Sequence, residues 1–169
     1  ENVLAGSPAS LRLVLAGGLE EGGANRRYVE SVRERIRRSP VRESIDEVGY
    51  VPAEKLDGVF AAADVFVQPS VRPAGLSASS VLFRAMAAGL AIVASDVGTF
   101  PEEVRHLETG LLVPPGDAGA LAAALVRLGT DPELRERLGR GARTHVETEH
   151  DGARVARAAA DVYEEVARP

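Results

Sequence analysis

The sequence has no cysteine, no tryptophan, only 4% aromatic residues and, in Lys55, a single lysine. Without cysteine there is no disulfide framework, no thiolate nucleophile and no cysteine-bound zinc. So few aromatics, with no Trp among them, argue against a base-stacking platform for single strands. No apolar run comes near the roughly 18 residues a spanning helix needs, so no transmembrane segment is expected. The opening Glu1-Asn2-Val3-Leu4-Ala5-Gly6 has neither a basic n-region nor a long apolar core, so no signal peptide is visible. These absences leave the cytoplasm as the default location. The net charge of −5, from 20 basic and 25 acidic residues, argues against nucleic acid as a partner. The arginines that make up nearly all of the basic set are spread along helices, which reads as codon bias rather than an anion surface.

What is present is the balance of one globular domain: 169 residues, 45% hydrophobic and 27% charged. Short apolar runs alternate with stretches of helical period. Strands are expected at Leu11–Ala16, at Ile45–Val51, at Asp64–Gln68 as a buried strand, at Leu90–Ala94 and at Gly110–Val113. Between them, Val29, Val32 and Ile36 mark a helix from about Asn25 to Arg38, and Pro52 opens another through Leu56, Val59 and Phe60 to Ala63. A helix from about Ser77 to Ala88 has Leu82, Ala85 and Met86 as its inner face. Gly98 to Leu107 reads as a short helix with Pro101 in its first turn. Three helices finish the chain, at Ala118–Leu128, Pro132–Val146 and Gly152–Ala167. Asp131 is the N-cap of the second, and Val155, Ala159, Val162 and Val166 form a stripe on the third.

Apolar strands alternating with amphipathic helices predict an α/β, Rossmann-like domain, a parallel sheet with helices on both faces. The whole of 1–169 reads as one domain, with 151–169 its closing helix. Ligands of such sheets sit at the carboxyl ends of the strands. That rule singles out Gly17-Gly18, Gly49-Tyr50-Val51, Pro69-Ser70, Ser95-Asp96-Val97-Gly98 and Pro114-Pro115-Gly116.

The common fingerprints are missing: there is no G-x-G-x-x-G, no G-x-x-x-x-G-K-[ST] and no G-x-S-x-G. His106, His145 and His150 show no metal-ligand spacing, and His145 and His150 are off the i,i+4 interval, so all three read as solvated surface and no metal is expected. Ser77-Ala78-Ser79-Ser80 opens a helix, where free N–H donors and the dipole suit a diphosphate. A simple N-cap is the other reading, and one helix can satisfy both.

The run Ala63-Asp64-Val65-Phe66-Val67-Gln68-Pro69-Ser70, followed by Arg84-Ala85-Met86-Ala87-Ala88-Gly89-Leu90 through Asp96-Val97-Gly98, resembles the C-terminal domain of retaining GT-B glycosyltransferases of family four. Pro101-Glu102-Glu103-Val104, Glu108-Thr109-Gly110-Leu111-Leu112-Val113-Pro114-Pro115-Gly116-Asp117 and Asp131-Pro132-Glu133-Leu134-Arg135 continue the pattern in order, from Leu11 nearly to the end. The resemblance implies a domain that binds the nucleotide of a sugar donor, with no cofactor and no metal. Tyr50 and Val51 then fall in the loop that meets the base, unless that loop is an ordinary strand-to-helix turn. Ser77, Ser79 and Ser80 fall where a helix start meets the diphosphate.

Two departures accompany the likeness. The family usually carries a Glu-x7-Glu pair; here Leu76 and Arg84 occupy those positions. An arginine has no acceptor for ribose hydroxyls, so Arg84 is either a phosphate or ribose contact or a solvated helix residue, and no catalytic group is assigned. The family also places another strand and helix before Leu11, plus an N-terminal domain that holds the acceptor. The chain therefore reads as a fragment, or as half of a pair with a companion chain, and association between copies is open. The expected function is sugar transfer from a nucleotide diphosphate to an unknown acceptor. The alternatives are a non-catalytic GT-B-like binding or assembly subunit and, more distantly, a sugar-nucleotide epimerase of the same shape.

Overall fold

A computed structural model of the protein describes residues 11–17, 24–71 and 79–167. In chain order the elements are β1 (Leu13–Ala16), α1 (Ala24–Arg38), a 3-10 turn (Arg42–Ser44), β2 (Ile45–Gly49), α2 (Ala53–Ala61) and β3 (Val65–Gln68). They continue with α3 (Ser80–Ala87), β4 (Ala91–Ser95), α4 (Phe100–Glu103), β5 (Gly110–Val113), α5 (Ala118–Thr130), α6 (Pro132–Glu149) and α7 (Gly152–Val166). All strand pairings among them are parallel, as the alternation of apolar runs and helices requires.

The core is organised by β4. Its sequence Ala-Ile-Val-Ala-Ser is buried at every position, because β3 and β5 flank it in register, Val65 opposite Ala91 and Ile92 opposite Gly110. Successive side chains leave a strand on opposite faces. Ile92 and Ala94 accordingly pack with Leu82, Ala85 and Met86 of α3 and with Phe60 and Phe100. Ala91 and Val93 pack on the other face with Leu111, Val113, Leu128 of α5 and Leu134 and Leu138 of α6. The expected inner face of α3 is thus fully buried, each of its three residues at 0% exposure.

Helix α6 starts on one layer and ends on the other, since Leu134 and Leu138 belong to one cluster and Ala142 to the second. It crosses at the amino ends of β4 and β5. A Cβ added at Gly139 would lie 2.1 Å from the Gly89 carbonyl oxygen, and one at Gly141 would lie 2.2 Å from that of Glu108. Only glycine permits so close a backbone approach. Asp131 caps α6 as its sequence predicts, its carboxylate accepting the Leu134 N–H at 2.9 Å, with Pro132 at the first helical position.

Several expectations need correcting. The first strand begins at Leu13 rather than Leu11, and its apolar residues stay exposed, Val14 at 47%. Among the described residues the sheet is two separate pieces, β1–β2 and β3–β4–β5. Strand β3, expected to be buried, is half-buried at all four positions because β4 covers one edge only. The helix expected from Gly98 to Leu107 is a single turn. Val104 leaves it in extended conformation and is fully buried, and Leu107 adopts a φ of 67° so that the chain can turn back into β5.

The stripe on α7 forms but is not covered: Val155, Val162 and Val166 are exposed, since no described element packs along it. Residues 1–10, the loop 18–23, the stretch 72–78 that includes Leu76 and Ser77, and 168–169 lie outside the described residues. No described helix is long and apolar enough to cross a membrane.

Candidate functional site

The carboxyl ends of the strands are joined by short hydrogen bonds that leave their loops facing outward. Gly17 N–H donates to the Gly49 carbonyl at 2.8 Å, tying the end of β1 to that of β2. Gly49 has a φ of 66°, a left-handed turn that lets the chain leave the strand abruptly. The turn sets Tyr50 out at 75% exposure, with Val51 half-buried behind it. The buried Ser95 hydroxyl accepts the Ser70 N–H at 2.9 Å, joining the ends of β3 and β4. Asp96 N–H donates to the Val113 carbonyl at 2.8 Å, joining β4 and β5.

Helix α3 begins at this edge. Ser79 is its N-cap: its hydroxyl accepts the Leu82 N–H at 3.3 Å and the Gln68 amide N–H at 3.0 Å. The capping reading of the serine run therefore holds for Ser79. Ser80, the first helical residue, is exposed, and its position in the first turn keeps an amide without an intrahelical acceptor. Ser77 and Leu76 fall outside the described residues.

Arg84 sits one turn further along and reaches across to α2. Its guanidinium donates to the Ala53 carbonyl at 3.3 Å and lies 3.8 Å from the Asp57 carboxylate. Asp57 is highly exposed, so this ion pair is screened by solvent and holds Arg84 only loosely. Ala53 is two residues beyond Val51, so Arg84 lies beside the Gly49-Tyr50-Val51 loop. The fold thus brings Tyr50, Val51, Ser79, Ser80 and Arg84 to one end of the domain.

Sequence reasoning passed over Gln68. Its amide nitrogen supports Ser79, while its carbonyl oxygen is buried with no hydrogen-bond partner among the described residues. The signal was available: one polar residue closing an otherwise apolar strand at a ligand-binding edge. The three histidines also differ from a uniformly solvated set. His106 accepts the Leu112 N–H on its Nδ1 at 3.0 Å. His145 is buried at 8% exposure, because α6 turns that face toward α3 and β4. His150 Nε2 lies 2.8 Å from a Glu103 oxygen.

The sequence pattern of the glycosyl transferases group 1 family matches residues 4–145. The chain belongs to that family. Its sequence is 34% identical over 130 residues to the amylovoran biosynthesis glycosyltransferase AmsK of Erwinia amylovora, covering 75% of this chain and 32% of that one. Among solved structures, sucrose-phosphate synthase of Thermosynechococcus elongatus superposes with a TM-score of 0.81 at 30% identity, covering 92% of this chain and 38% of its own. HepE of Anabaena, solved in complex with UDP, superposes with a TM-score of 0.86 over 97% of this chain and 43% of its own. At 22% identity that last likeness establishes shared fold alone. The architecture is that of a GT-B C-terminal domain, and the chain spans about a third of the length of AmsK.

Proposed function

We propose that this chain is the donor-binding half of a GT-B glycosyltransferase, taking a nucleoside diphosphate sugar at the carboxyl edge of its sheet. The observation that carries this reading is the convergence of two features at that edge. The capped start of α3 and the loop after β2 are linked there by the Arg84 guanidinium on the Ala53 carbonyl. The same fold in HepE has been solved in complex with UDP.

In this reading Tyr50 and Val51 meet the base. Ser79 and Ser80, together with Ser77, offer the helix start to the diphosphate, where free amides and the dipole favour negative charge. Arg84 is held by one carbonyl and one screened carboxylate. It can exchange them for a phosphate oxygen, a stronger charge-assisted partner. The chemical contribution is positioning the donor and stabilising charge on the departing diphosphate. No general base or nucleophile is assigned, because no carboxylate stands at Leu76 or Arg84. An acceptor held by a second domain or companion chain would complete the reaction. A further strand set beside β1 would also pair its free edge.

Titration calorimetry with UDP, GDP and ADP tests the reading. One nucleotide should bind saturably, and Arg84→Ala should weaken it about ten- to a hundredfold, the loss expected of one charge-assisted hydrogen bond. A folded protein that binds none of the three, or an Arg84→Ala variant of unchanged affinity, overturns the assignment of this edge or of Arg84 respectively.

A further inference from the structure

Three side chains converge that belong to different parts of the chain. Glu103 is the last residue of α4, His145 lies near the end of α6 and His150 is the C-cap of α6. Each offers one ligand atom, and these atoms all lie within 4.8 Å of one another. His150 Nε2 is 2.8 Å and His145 Nε2 is 3.8 Å from the same Glu103 oxygen.

We propose that Glu103, His145 and His150 form a binding site for a late first-row divalent cation, zinc foremost. The decisive feature is His145. Its side chain is 7% exposed, and its Nε2 points into the cluster without a hydrogen-bond partner among the described residues. A buried imidazole nitrogen left unpaired carries a desolvation penalty that a coordinated cation removes. The Glu103 carboxylate oxygen, 3.8 Å away, lies beyond hydrogen-bond distance and does not relieve it.

The donor set of two imidazoles and one carboxylate suits zinc and its neighbours, not magnesium or calcium, which prefer oxygen. Zinc bonds of about 2.0–2.1 Å in tetrahedral array put ligand atoms roughly 3.3 Å apart. The 2.8 and 3.8 Å separations from the Glu103 oxygen bracket that value, so small shifts of the Glu103 and His150 side chains bring the three into range. The ring of His150 rests against Phe83 of α3 with centroids 4.4 Å apart, which orients it toward Glu103. Asp151 accepts the Arg154 N–H at 3.1 Å and so fixes the turn that follows. An open depression lined by Arg105, Thr109, Thr144 and Thr148 reaches the His145 ring, and His150 lies on the more exposed side of the cluster. With three protein ligands, a water takes the fourth position. The ion would staple α4 to the end of α6 as a structural element, and this proposal does not depend on the donor-binding reading.

The test uses the full chain, free of any affinity tag and stripped with a chelator, titrated with ZnCl2 by calorimetry and with CoCl2 by visible absorption. One ion per chain should bind, with d–d bands appearing on cobalt. Zinc at a hundredfold excess over its Kd should raise the thermal midpoint by about 5–10 °C, and MgCl2 should not. His150→Ala, at the solvent side, and Glu103→Gln should each weaken zinc binding roughly a hundredfold, whereas His145→Gln is buried and is not relied on. No saturable binding, binding only at millimolar zinc, or unchanged affinity in both His150→Ala and Glu103→Gln overturns the proposal.

Discussion

Alanine stabilises helix interiors relative to glycine by about 1 kcal/mol, so helix propensity alone predicts that Gly139→Ala strengthens α6. The packing predicts the reverse. The new methyl carbon would stand 2.1 Å from the Gly89 carbonyl oxygen and 3.1 Å from its carbon, both backbone atoms that cannot rotate aside. Ordinary contact begins at 3.4 Å, so α6 must withdraw by more than an ångström from the turn that precedes β4. That withdrawal loosens Leu138 and Ala142, both at 0% exposure on either side of Gly139.

Overpacking costs about 1–3 kcal/mol, and a 2.1 Å clash with fixed backbone stands at the upper end of that range. Set against the helix gain, the net loss approaches about 2 kcal/mol, or roughly 4–8 °C in Tm for a chain of this size. Gly58→Ala is the matched control. It lies within α2, where an added Cβ meets nothing within 4 Å, so it should gain about 0.5–1 kcal/mol. Urea unfolding followed by circular dichroism reads both variants as shifts in midpoint at constant m. A Gly139→Ala protein as stable as the parent would refute the close crossing of α6 beneath β4.

Two further outcomes follow from individual contacts. Asp131→Ala removes the acceptor for the Leu134 N–H and should cost about 1 kcal/mol, seen as a fall of roughly 2–4 °C in Tm; Asp131→Asn should keep most of it. The Arg12 guanidinium, by its hydrogen bond and then its charge, holds the Asp46 carboxyl below its ordinary value. Its folded value lies below its unfolded one, so the pair's contribution is present above the unfolded value and disappears as pH falls through the folded one. A carboxyl-detected NMR titration should therefore place Asp46 low, return it toward normal in Arg12→Ala, and show the same return in high salt because the pair is exposed. An Asp46 titration unaffected by Arg12→Ala would contradict the pairing.

Much of the fold was legible along the chain because it rests on local patterns. The apolar run at Leu90–Ala94, the spacing of Leu82, Ala85 and Met86, and Asp131-Pro132 each report a burial or capping requirement within a few residues. The candidate edge was legible too, since the carboxyl-end rule needs only the order of strands and helices. Arg84 was legible as a departure from a family pattern, but its reach to Ala53, 31 residues away, was not. The helix expected through Leu107 ends at Glu103 because Val104 turns extended and buries in the core, which helical spacing does not record.

Apart from residues 104–107, the sequence by itself determined which segments are strand and which are helix, that the strands run parallel, and which end of the sheet carries the loops. Those properties follow from periodicity, caps and the length of connections, all of them short-range. Tertiary structure alone decided that α6 presses on bare backbone at Gly139 and Gly141, that no described element covers the stripe of α7, and that Glu103 meets His150 across 47 residues. Those depend on distances between elements far apart in the chain, which no local pattern encodes.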